Sequence, residues 1–140
     1  MINIFLSCSS KDHDYIKTVI DNLTELPDKY SLIYFMQPYN VDTSMELILH
    51  RLNEADLFIV FVSNNSLESA FVQEEIREAV RLSKLGVIKG FCSIIIEPEI
   101  QVAQDYRIPE YILSSRMFYT HSPYLAIEQI KDFIFSFKGD

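Results

Sequence analysis

Residues 57–62, Leu-Phe-Ile-Val-Phe-Val, constrain the fold more than any other stretch of this chain. A strand with one solvated face alternates apolar and polar side chains. This run has no polar member, so it reads as a central strand covered on both faces. Such a strand belongs to a parallel sheet between two layers of helices, and the rest of the chain supplies those layers. Strand-like runs at 2–7, 30–35, 57–62, 91–96 and 117–119 alternate with helical patterns. Five alternations with right-handed crossovers specify a doubly wound α/β fold. The expected architecture is a flavodoxin-like five-stranded parallel sheet with helices on both faces.

The helices carry local signals. Ser9-Ser10-Lys11-Asp12 offers caps for a first helix, which places Tyr15, Ile16, Val19, Ile20 and Leu23 at helical spacing and stops before Pro27. Ser44 caps a second helix, with Glu46 or Leu47 in its first turn and Leu47, Ile48, Leu52 and Ala55 on its buried side. A third follows the turn Ser63-Asn64-Asn65, starts at Ser66 and runs to Leu85, where Gly86 suits a stop. The segment 99–115 is irregular apart from a short helix near 109–113. Ser122 and Pro123 open a last helix, with Leu125, Ile127, Ile130, Ile134 and Phe137 as its apolar side, reaching nearly to Asp140.

Composition excludes several classes. A chain of 140 residues makes one domain with a real core, read as residues 1–140 and compatible with excision from a longer multidomain protein. Hydrophobic content of 49% rules out a disordered chain. A net charge of −8 argues against nucleic acid as a partner, since binding phosphates needs a basic face. No apolar run approaches the roughly 20 residues of a membrane span, and residues 1–6 lack the pattern of a secretion signal. Cys8 and Cys92 sit in different strand-like runs without metal or redox spacing and read as reduced, packed thiols, which points to the cytoplasm. His13, His50 and His121 are scattered, so no metal site is assigned.

The candidate chemistry centres on the third helix. Val72, Ile76, Ala79 and Val80 form its apolar stripe. On a wheel of about 100° per residue, Glu74 points away from that stripe, while Glu75 stands roughly 60° from Val72 on the border with solvent. A carboxylate there is half desolvated and lies near the strand ends, where open α/β sheets bind ligands. The ordinary alternative is a boundary carboxylate that snorkels or pairs with a cation. Ser7, Ser9, Ser10 and Lys11 lie at the end of the first strand. Their residue types allow ribose or phosphate binding, and equally allow helix capping with a solvated Lys11. Phe5 reads as core. The run Glu74, Glu75, Arg77, Glu78, Arg81 reads as a largely solvated face.

Three boxes then coincide. Residues 4–12, Ile-Phe-Leu-Ser-Cys-Ser-Ser-Lys-Asp, are similar to the opening "FISYSSKD" of the Toll/interleukin-1 receptor (TIR) domains. Residues 56–63, Asp-Leu-Phe-Ile-Val-Phe-Val-Ser, resemble the family's third strand, and residues 69–76, Ser-Ala-Phe-Val-Gln-Glu-Glu-Ile, resemble its "S-x-W-C-x-x-E-L". Cys8 stands where the family has Tyr, Phe71 and Val72 stand for Trp-Cys, and the loop after the second strand has no glycine.

The resemblance to the bacterial NAD-cleaving type implies an NAD+ nucleosidase, an ADP-ribosyl cyclase being its variant, with NAD+ as substrate and no cofactor. It would be an effector of innate immune or anti-phage defence. Glu75 becomes the essential carboxylate, and Ser7, Ser9, Ser10, Lys11 and Phe71 the substrate-binding set. One carboxylate suffices chemically: nicotinamide leaves as a neutral molecule from a cationic substrate, and only the ribosyl cation needs stabilising. The resemblance also implies homo-oligomerisation with other TIR domains, through the loop bearing Met36, Pro38, Tyr39 and Val41, in open filaments. Two other readings stand beside it, a non-catalytic TIR scaffold and a nucleoside deoxyribosyltransferase-like enzyme. A phosphoacceptor receiver domain is rejected, because Ser63 and Cys8-Ser9-Ser10 occupy the positions where it needs acids.

Overall fold

The computed structural model describes residues 1–23, 25–34 and 44–137. The loop residues Met36, Pro38, Tyr39 and Val41 lie outside them. Five strands, β1 (Ile2–Ser7), β2 (Tyr30–Tyr34), β3 (Leu57–Val62), β4 (Gly90–Ile95) and β5 (Arg116–Tyr119), form one parallel sheet in the order β2-β1-β3-β4-β5. This is the flavodoxin-like order expected from the alternation of elements. All six residues of β3 are buried, as a central strand covered on both faces requires.

Helices α1 (His13–Leu23) and α6 (Pro123–Phe135) cover one face. Helices α2 (Met45–Leu52), α3 (Asn64–Leu67), α4 (Ala70–Lys84) and α5 (Glu110–Ser114) belong to the other. The two cores follow the strand pleat. Ile4, Leu6, Leu57, Ile59, Phe61, Cys92 and Ile94 pack with α1 and α6. Phe5, Phe58 and Phe91 face α2 and α4, with ring centroids 5.8 and 4.9 Å apart along the series. Cys8 and Cys92 are free, buried thiols. No helix among the described residues is long and apolar enough to cross a membrane.

Several boundaries differ from the sequence reading. Residues 63–85 do not form one turn and one helix. Ser63 caps the short α3 through a reciprocal pair with Ser66, and Ser69 caps a separate α4 by accepting from the Val72 N–H. Two side-chain caps six positions apart let the chain start a helix twice. Leu47 is exposed rather than buried because only Ile48 and Leu52 of α2 fall on the sheet-facing stripe. Leu125 is 60% exposed for the same reason: α6 buries Ala126, Ile127, Ile130, Phe133 and Ile134, an i, i+1, i+4, i+7, i+8 set that excludes it. The α6 helix ends at Phe135, short of the expected reach. Gly86 does end α4, at φ 79°, with Gly86 N–H and Val87 N–H donating back to Ser83 and Leu82 carbonyls.

Candidate functional site

The β1 strand delivers Ser7 to the C-terminal edge of the sheet, in register with Val60 of β3. Beyond it Ser9 Oγ accepts the Lys11 N–H at 3.2 Å and starts a 3-10 turn, Ser10–Asp12. Asp12 then reaches back to the end of the neighbouring strand. Its carboxylate accepts from Ser63 Oγ and, at 2.8 Å, from Asn65 Nδ2. This clasp ties the turn after β1 to the turn after β3. With α3 inserted, Ser69 opens α4 beside the same edge, and the second turn of α4 brings Glu75 over Ser7.

Glu75 is 3% exposed, and Ser7 Oγ donates to its Oε1 at 2.6 Å. The border position expected from the wheel is therefore corrected: Glu75 lies inside the packed face, with Val72, Ile76, Ala79 and Leu82. The wheel measured distance from the stripe of α4 alone. Packing widens the buried arc, because α2 lies against α4 and Ile48 of α2 lines the cavity beside the carboxyl. Val80, read as part of the stripe, is only partly buried, and Leu82 takes its place. Glu74 pairs with Arg77, and Glu78 with Arg81, on the outer side of α4.

A cavity of about 40 Å³ lies against Glu75, lined by Cys8, Ser9, Ser10, Ile48, Ser69 and Phe71. It holds one or a few waters. Phe71, 36% exposed, stands at its rim. The structure thus brings together Glu75, Ser7, Ser9, Ser10 and Phe71. Lys11 is exposed and does not line the cavity; the sequence placed it with the serines, and the 3-10 turn carries its side chain away. Ser7 lies beneath the carboxyl, fully buried, rather than in the cavity wall.

Burial pushes the Glu75 carboxyl up to about 8, and the hydrogen bond from Ser7 pulls in the opposite direction. Burial, then the negative charges of Glu75 and Asp12, drive the Cys8 thiol far above its ordinary range, so it stays protonated and is no nucleophile. A larger hollow, about 470 Å³ at Lys84, Glu110, Tyr111, Leu113 and Ser114, has no buried ionisable group in its wall. Among the described residues no three His, Cys, Asp or Glu side chains are placed to hold a metal ion.

Sequence reasoning missed three contributors. Cys8 and Ile48 read as packing and Ser69 as part of a motif, yet all three line the cavity. The Asp12–Ser63–Asn65 clasp was also missed. Its signal was the adjacency of strands 1 and 3 in the flavodoxin-like order, which brings the residues after each strand together.

A family model described as TIR domain matches residues 4–121. Among solved structures, the chain is similar to the TIR domains in the activated Roq1 resistosome that directly recognises the pathogen effector XopQ. The TM-score is 0.54 at 18% identity, over 76% of this chain and 66% of that one. The chain thus spans just under two thirds of that relative's length. A search of curated proteins finds no match.

Proposed function

The chain belongs to the TIR domain family, and from that premise we propose that it is an NAD+ nucleosidase in which Glu75 is the catalytic carboxylate. The observation that carries this reading is the buried Glu75, hydrogen-bonded to Ser7 and bordering a serine-lined cavity at the C-terminal edge of the sheet. In the reaction, the bond between ribose C1′ and the nicotinamide nitrogen breaks. The electron pair leaves with nicotinamide and neutralises its pyridinium charge. Positive charge develops on the ribosyl ring, where the Glu75 carboxylate stabilises it. Water adds at C1′ and loses a proton, giving ADP-ribose. The hydroxyls of Ser9 and Ser10 offer hydrogen bonds to ribose or phosphate oxygens, and Phe71 offers a ring at the rim.

Only ionised Glu75 serves this step. Its carboxyl titrates near 8 when the site is empty, so kcat/KM should rise with pH and level off above about 8. The cationic nicotinamide ring of bound NAD+ pulls the proton off at lower pH. A 40 Å³ cavity does not hold a dinucleotide. Substrate entry requires Phe71 or Ile48 to move. Homo-oligomerisation through the loop that carries Met36, Pro38, Tyr39 and Val41 is the step we expect to drive that change, in a defence effector switched on by assembly.

Nicotinamide release tests the reading. E75Q keeps size and hydrogen bonding while removing the charge, and should lower the rate about 10²–10³-fold. E74Q, altered on the Arg77-paired side of α4, should leave it unchanged. Equal effects of the two changes, with folding verified, would sink the assignment. A wild-type chain that releases no nicotinamide at any pH or concentration favours the non-catalytic scaffold, a reading to which the small cavity also lends support.

A further inference from the structure

We infer that Ser7 is the positioning residue of Glu75: its buried hydroxyl donates to Oε1, holds the carboxyl in one orientation and favours its charged form against the burial that opposes it. The inference rests on the reading of Glu75 as the catalytic carboxylate, and goes beyond it by assigning Ser7 away from the substrate. The strand pleat supplies the first argument. Ser7 shares a face of β1 with Phe5, a core position where an apolar residue is the ordinary choice. A buried hydroxyl there costs stability unless it finds a partner, and a buried carboxylate has the same need. Each is the other's solution. Among the described residues, Ser7 is the one hydrogen-bond partner of the Glu75 carboxyl.

The geometry supplies the second argument. At 2.6 Å the contact falls in the range of a hydroxyl donating to an ionised carboxylate. Among the described residues no cation sits against the carboxyl. From the end of β1 the titratable neighbour is the Cys8 thiol, with Asp12 beyond it held by Ser63 and Asn65. From α2 the cavity receives Ile48; His50 and Arg51 pair with Glu54, and Glu46 is exposed. Near α3, exposed Glu68 faces Arg107. On α4 itself, Glu74 and Glu78 are paired with arginines. Ser7 therefore contributes what a cation contributes in other buried carboxylate sites, without adding a charge that would repel a cationic substrate.

The test couples kinetics to stability. For nicotinamide release, S7A should move the acid limb of the kcat/KM profile up by about one pH unit, a roughly tenfold loss at neutral pH that narrows in alkali. S7T, which keeps the hydroxyl, should restore the limb. A loss of equal size at every pH, with the midpoint unmoved, overturns the inference. Thermal unfolding needs no activity. With Glu75 present, the deficit of S7A against wild type should grow between pH 6 and pH 9; in an E75Q background it should not change with pH. A deficit equal at both pH values in the Glu75 background overturns the inference. If S7A does not fold, S7C, a weak donor of similar volume, takes its place with the same expected shifts. A wild type that releases no nicotinamide defeats the enzymatic reading alone, because the melts still decide whether Ser7 holds the Glu75 charge.

Discussion

Toward α1 and α6, the sheet buries Ile4, Leu6, Leu57, Ile59, Phe61, Cys92 and Ile94, with no hydroxyl or acid among them. Toward α2 and α4, the same strands bury Phe5, Phe58, Val60, Val62, Phe91 and Ile95, and also Ser7 and Ser93, while α4 adds Glu75. Ser93 Oγ finds no hydrogen-bond partner among the described residues. Along these strands the first face is a dry core. The other is dry in the middle, where three phenylalanines adjoin, and polar at the C-terminal edge, where the Ser7–Glu75 pair and its cavity sit. A buried acid displaced from its solution behaviour weakens a fold. That acid lies on one face alone, at the C-terminal edge of the sheet.

Three stability measurements sharpen or break this contrast. Truncating the dry face should have the largest effect. Phe133→Ala removes a ring that is buried on α6 and sits 5.2 Å from Phe137. It should cost about 3–5 kcal/mol by urea unfolding, equally at pH 6 and pH 9. A cost that changes with pH would show that the dry face is coupled to a titrating group.

Next comes Glu75 itself. Its folded carboxyl titrates near 8, far above an unfolded glutamate, so the folded state holds a proton that the unfolded chain releases. Stability is fully present below the unfolded value, declines as pH rises, and levels off above about 8. The interval from pH 6 to pH 9 is worth about 3 kcal/mol, since the slope of roughly 1.4 kcal/mol per unit fades as the folded carboxyl ionises near 8. E75Q should abolish this decline and exceed wild type in stability by about that much more at pH 9 than at pH 6. Parallel wild-type and E75Q curves from pH 6 to pH 9 would mean that Glu75 is not buried in solution. The smallest change concerns the entry of α4. Ser69→Ala deletes the acceptor for the Val72 N–H and should cost about 1 kcal/mol at both pH values, with faster amide exchange in the first turn of α4. Unchanged exchange there would show that the cap does not set where α4 begins.

Much of the scaffold was legible because it rests on short-range rules. The apolar run 57–62, the alternation of strands with helical periods, the caps at Ser44 and Ser122 and the stop at Gly86 are properties of neighbouring residues, and each has its counterpart in the structure, while Ser9 caps a 3-10 turn ahead of the first helix rather than the helix itself. Glu75, Ser7, Ser9 and Ser10 were named from residue type and position and Phe71 from the family resemblance, and those residues meet. Lys11 did not join them, since the direction of a side chain leaving a 3-10 turn is no function of residue type.

The sequence by itself determined the fold class, the strand order and the neighbourhood of the site, because hydrophobic period and capping act over a few residues and parallel α/β topologies are few. Only the tertiary structure decided how deep Glu75 lies and what it touches. A helical wheel ranks positions about one axis. Whether a border residue ends in water or in the core depends on the neighbouring helix that packs over it, here Ile48 of α2, and on what the strand beneath presents, here Ser7 sixty-eight positions away. Burial first, and the opposing Ser7 contact second, set the charge state of the carboxyl, since desolvation is a property of the whole packed face and not of the residue.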